Sequence, residues 1–130
     1  MPYGSKVKVQ DLQEVDIADL LGLFNAHYGR TSIGHSYKTN YIPQLCLVAH
    51  EAGAYAEVVS RMEYDLALRL GIPPGRIILN GPVKDEALLR DALFAGVMLN
   101  VDSEEEAGQV MAIARAHPGH NFSFGLRLNF

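Results

Sequence analysis

Lys38, in the run Tyr37-Lys38-Thr39-Asn40, is the residue of this chain best suited to covalent chemistry. It follows an apolar run, Ile33–Tyr37, and is flanked by uncharged polar groups. Lysine is almost never fully buried unless it is paired or used. Burial favours the neutral amine, which is the form that attacks a carbonyl and forms a Schiff base. By pattern alone, Lys38 also fits a solvated loop lysine, because exposure is the rule for this residue type. Further polar residues close the later apolar runs: Ser60, Asn80-Gly81, Asn100, Asp102, Arg127 and Asn129.

Other chemistry-bearing residues have plainer readings. Ser60 with Glu63, and Ser103 with Glu106, have the spacing of a capping box. Glu104-Glu105-Glu106 suit the first turn of a helix, where carboxylates complement the dipole. Cys46 lies on a helical stripe and reads as a small packed side chain. His117 and His120 flank a Pro-Gly turn and read as surface histidines, so no metal site is expected. His50 falls near a helix end, where a cation is mildly favoured.

The elements that must position these residues follow a rhythm. Apolar, β-branched runs recur at Ile33–Tyr37, Ala56–Ser60, Arg76–Asn80, Val97–Val101 and Phe122–Leu128. Their starts lie roughly 20 to 26 residues apart, room for one strand, one helix and two tight loops. Helical stripes fill the gaps: Leu45, Val48, Ala49 and Ala52; then Met62, Leu66 and Leu70 with Ala67 beside them; then Leu88, Leu89, Ala92 and Leu93; then Ala107, Val110, Met111 and Ala114. Pro43 suits a first helical turn, and Asp85 suits an N-cap. Gly53, Gly71, Gly96 and Pro118-Gly119 stand where helices should stop. Before the rhythm, Lys6–Val9 alternates like an exposed strand, and Ile17, Leu20, Leu21, Phe24 and Tyr28 form one helix face ended by Gly29.

Strand–helix alternation predicts an α/β fold with parallel strands joined by right-handed crossovers. Parallel sheets are usually covered on both faces. A closed eight-stranded TIM-type barrel needs about 250 residues, and this chain has 130. It therefore reads as either a small open sheet or about half of a (β/α)8 barrel. The stop right after the fifth strand favours a truncated piece, with residues 1–130 as the N-terminal part of a barrel domain. In both architectures ligands bind beyond the carboxyl ends of the strands, where the polar residues gather. The net charge of −4 argues against a nucleic-acid partner. No apolar run approaches the roughly 20 residues that span a bilayer. Cys46 alone makes no internal disulfide, and the cytoplasm is the default compartment.

The motifs also carry a resemblance. His35-Ser36-Tyr37-Lys38-Thr39-Asn40, Gly53 to Glu63, Ala67 to Ile77, Asn80-Gly81-Pro82-Val83-Lys84, Asn100-Val101-Asp102-Ser103 and Leu126-Arg127-Leu128-Asn129 follow in register. Together they resemble the fold-type III pyridoxal-phosphate decarboxylases of diaminopimelate, ornithine and arginine. Tyr3-Gly4-Ser5 is similar to that family's opening. The resemblance implies that Lys38 is the Schiff-base lysine holding pyridoxal 5'-phosphate. It implies that Glu57 stands where the family usually has Asp, near that lysine, and that Arg127 lies close to the cofactor ring. It also implies a small amino-acid substrate and a homodimer. The family's ring-stacking histidine, phosphate loop and C-terminal β domain would lie beyond Phe130. A racemase of the same barrel class, or a non-catalytic cofactor-binding fragment, is the alternative. Departures at Lys6, His35, Thr39 and Arg61-Met62 bear on substrate choice, the last by altering a turn near the site.

Overall fold

The computed structural model describes residues 9–128. In chain order the elements are α1 (Val9–His27), β1 (Gly34–Ser36), α2 (Pro43–Glu51), β2 (Tyr55–Val58) and α3 (Arg61–Arg69). A short 3-10 turn (Pro74–Arg76) precedes β3 (Ile77–Leu79), α4 (Glu86–Ala95), β4 (Met98–Val101), α5 (Glu104–Ala116) and β5 (Phe124–Leu126). All five expected strands form, each shorter than its apolar run. Lys6–Lys8, Tyr3-Gly4-Ser5 and Asn129 lie outside the described residues, and Val9 opens α1 rather than closing a strand.

The strands make one parallel sheet in the order β1-β2-β3-β4-β5. Strand order and chain order coincide, so the sheet has no point where its winding reverses. Crossovers of one hand then place every connecting helix on the same face. This separates the fold from a doubly wound sheet and gives it the winding of a partial (β/α)8 barrel. Ala56, Val58, Ile77, Leu79, Leu99 and Val101 face the helices and are buried. Their alternate neighbours Glu57, Ile78 and Asn100 are only partly buried, on the face that a closed barrel turns inward.

Local chemistry sets the helix ends. Asp85 accepts from the Leu88 N–H at 2.7 Å, and Gly96 ends α4 in the left-handed region at φ 77°. Ser60 and Ser103 cap α3 and α5 by accepting from the N–H groups of Glu63 and Glu106. The α4 stripe of Leu88, Leu89, Ala92 and Leu93 is buried as expected.

Two other stripes are rotated. On α3 the buried residues are Glu63, Tyr64 and Ala67, while Met62 is exposed. On α5 they are Glu106, Val110 and Ile113, while Met111 is exposed. The cause is the same in both. The capping glutamate reaches back to a strand-end N–H, from Val59 to Glu63 at 2.8 Å and from Asp102 to Glu106 at 3.0 Å. That bond pulls the glutamate inward, and residues one turn later follow it at helical spacing. On α1, Ile17 and Leu21 are half-buried, but Leu20 and Phe24 remain exposed, as does Tyr28 just past its end.

Candidate functional site

The carboxyl ends of the strands surround a cavity of about 490 Å³. Lys38, Glu57, Asn80, Asn100 and Arg127 all line it. The three site residues expected from the sequence thus come together, although they lie on β1, β2 and β5 or the turns that follow them.

Lys38 sits in the turn after β1. Thr39 and Asn40 both donate their N–H groups to the Ser36 carbonyl at 3.2 Å, which closes the turn. His35 Nε2 donates to the Asn40 carbonyl at 3.0 Å and clasps it from the other side. Tyr37 continues the sheet by donating its N–H to Glu57 O at 2.9 Å, and its ring is buried. Burial pushes the Tyr37 phenol far above its ordinary value, with neighbouring Cys46 adding to the effect. Burial also raises the Cys46 thiol, consistent with a packed rather than a reactive side chain. Anchored by Tyr37, Lys38 faces the cavity. It is exposed among the described residues, so the desolvation expected at a strand end is not supplied by them.

Only two lysines fall among the described residues. Lys84 is enclosed and bound to Gly81 O and Glu106, so its amine is occupied. Lys38 makes no ion pair or side-chain hydrogen bond among the described residues, and of these two its amine is the one available to a ligand.

Glu57 is held by a ladder of amides that runs across three strands. Asn80 Nδ2 donates to Glu57 Oε1 at 2.9 Å, and Asn100 Nδ2 donates to Asn80 Oδ1 at 2.7 Å. The Asn80 amide thereby accepts through its oxygen while its own N–H group donates onward, and the series ends on the carboxylate. The Asn100 carbonyl lies over Gly125, where any side chain would collide with it. Glycine at that position is what lets the ladder lie flat. Sequence reasoning placed Asn80 and Asn100 at strand ends but assigned them no role. Their signal is a polar residue at an inward position of a strand whose outward positions are apolar.

Arg127 continues the sheet through its N–H to Val101 O at 3.0 Å. Its guanidinium is 3.3 Å from Asp102 Oδ1. Ser60 acts as a helix cap and Asp102 as a partner of Arg127, while Asn129 lies outside the described residues. Arg61 turns away from the cavity and pairs with Asp91 at 2.7 Å, tying α3 to α4. The Arg61-Met62 departure therefore does not line the cavity. His117 and His120 pack around Phe94, and no group of metal-binding residues occurs among the described residues.

Comparison with known proteins agrees with this arrangement. A family described as "Pyridoxal-dependent decarboxylase, pyridoxal binding domain" matches residues 15–130. A diaminopimelate decarboxylase of Aquifex aeolicus is 40% identical over 83 residues, covering 63% of this chain and 20% of that protein. One from Methanothermobacter thermautotrophicus is 28% identical over 130 residues, covering 98% of this chain and 28% of its own. The crystal structure of Helicobacter pylori diaminopimelate decarboxylase complexed with L-lysine superposes with a TM-score of 0.71 at 27% identity, over 88% of this chain and 30% of that one. The chain thus spans less than a third of the length of each of these relatives.

Proposed function

The chain belongs to the pyridoxal-dependent decarboxylase family, whose pyridoxal-binding domain it matches over residues 15–130, and from that premise we propose that it carries the amine-bearing side of a decarboxylase site for a basic or dicarboxylic amino acid. The observation that carries this reading is the meeting of Lys38, Glu57 and Arg127 on one cavity at the strand ends. Relatives named for diaminopimelate and ornithine, and a solved arginine decarboxylase, support the substrate class.

The residues present fit pyridoxal 5'-phosphate. The cavity lies within the range of about 300–1,000 Å³ common for small-ligand sites. It offers an amine that is unpaired among the described residues for an aldehyde, and a cation for an electron-rich ring oxygen. When bound, the cofactor supplies an electron sink for the charge left as the substrate carboxylate departs. Lys38 would hold the cofactor through Nζ and would hold or deliver a proton at that atom. Glu57, its carboxylate fixed by Asn80, lines the same cavity as Lys38 and would assist protonation of the amine there. Arg127 would donate hydrogen bonds towards the cofactor's ring oxygen.

The proposal extends to the rest of the molecule. Five singly wound strands suit the N-terminal part of an eight-stranded barrel. The partly open concave face and the sheet edges at β1 and β5 leave surface for the remaining strands. A cytoplasmic homodimer belongs to the same reading. No helix among the described residues is long and apolar enough to cross a membrane.

The test is spectroscopic and catalytic. Adding pyridoxal 5'-phosphate to the full-length protein should give a visible absorbance band that Lys38→Ala abolishes. Carbon dioxide should be released from diaminopimelate, ornithine, lysine or arginine. A band that persists in Lys38→Ala contradicts the assignment. Racemisation of a substrate without carbon dioxide would favour the racemase alternative.

A further inference from the structure

The enclosed pair of Lys84 and Glu106 has no part in the roles above. The Lys84 side chain is fully enclosed and that of Glu106 nearly so. Lys84 Nζ donates to Glu106 Oε2 at 2.9 Å and to Gly81 O at 2.6 Å. The same glutamate oxygen accepts the Asp102 N–H at 3.0 Å.

The molecule contains its own control. Ser60 and Glu63 cap α3 as Ser103 and Glu106 cap α5, and each glutamate reaches back to a strand-end N–H. The α3 cap works without a lysine, so capping does not explain Lys84. Stability is also a poor explanation. Enclosing two charges carries a heavy desolvation penalty, and an apolar pair of similar size often serves a fold as well or better.

What the pair does is fix two loops relative to each other. At one end is Gly81, a cavity-lining residue at φ +107° that packs so closely on the Val59 carbonyl that no side chain fits. At the other end is Asp102. Its carboxylate is the one acidic group paired with Arg127 among the described residues, and the Arg127 side chain is otherwise 61% exposed. The connections therefore run from Val59 and Gly81 through Lys84 and Glu106 to Asp102 and Arg127, along the rim of the cavity.

We infer that Lys84 and Glu106 are positioning residues that hold Arg127 at a fixed place across the cavity from the Gly81 loop. This rests on the cofactor reading above. A misplaced guanidinium weakens cofactor binding even when the fold is intact, because binding depends on groups held in place beforehand.

The experiment is a double-mutant cycle on the full-length protein, reading pyridoxal 5'-phosphate affinity by titration. Replacing the pair with amides, Lys84→Gln with Glu106→Gln, keeps hydrogen-bonding groups and removes both charges together. The affinity should fall about tenfold. In an Arg127→Gln background the same replacement should change affinity less than about twofold, since the group it positions is gone. Loss of thermal stability, by contrast, should be equal in the two backgrounds. If the amide pair does not fold, Lys84→Met with Glu106→Leu is read in the same way. Unchanged affinity in a folded variant, or an equal loss with and without Arg127, overturns the inference. Failure of the wild-type protein to give a Lys38-dependent band would instead overturn the cofactor reading, so the two failures are distinct.

Discussion

At the scale of single residues, each site group depends on a neighbour that reads as ordinary. Glu57 depends on Asn80, which depends on Asn100. Asn80→Ala should remove a hydrogen bond to a charged group and cost about 1.5–3 kcal/mol, measured by urea denaturation. Gly125→Ala should destabilise by about 1–3 kcal/mol, because the new methyl meets the Asn100 carbonyl. Combining it with Asn100→Ala should restore part of that loss, which the same measurement would reveal.

Tyr37 gives a pH signature. Its phenol titrates in the folded chain well above the value near 10 that it has when free. The folded state keeps this proton while the unfolded state loses it. Stability from this group is therefore fully present below about pH 10 and is lost as pH rises from there toward the folded value. Tyr37→Phe should flatten the alkaline limb when denaturation midpoints are compared between about pH 8 and about pH 11. An alkaline limb of unchanged steepness would contradict the account.

At the scale of elements, the capping boxes act on helix phase as well as helix ends. Ser60→Ala should cost about 1 kcal/mol, measured by thermal melting. The α3 and α5 faces also show why part of the fold was legible in the sequence and part was not. Strand spacing, N-caps and stop signals are local, and they placed all five strands and the helices between them. Helix phase is not local. Counting apolar residues put Met62 and Met111 inside, but a strand-end N–H draws a carboxylate inward instead. Glu63 and Glu106 were read correctly as caps from their spacing with serine, yet spacing alone does not show that they are buried. Lys84 carries no local signal of its role, since it lies in the loop before α4 and its partner Glu106 is on α5.

At the scale of the whole molecule, winding decides where the site can be. A sheet whose strand order follows chain order sends its helices to one face and leaves the other for a barrel interior. The core between sheet and helices is continuous. Leu89→Ala, at a fully buried position of α4, should cost about 2–5 kcal/mol and lower the melting temperature accordingly. The sites on β1, β2 and β5 share this core support, so the loss should be global rather than confined to α4. Site residues were legible through resemblance and strand-end position together. Position alone placed Lys38 and Arg127 at the same end of the sheet, and Glu57 entered through resemblance.

The claim on which the rest depends is that the amine of Lys38 faces the ligand cavity and is the one that takes the cofactor. Borohydride reduction of the full-length protein with pyridoxal 5'-phosphate, followed by peptide mapping, tests it most directly. The account predicts a pyridoxyl group on Lys38 and none on the enclosed Lys84. A pyridoxyl group fixed on any other lysine, with Lys38 unmodified, would contradict it.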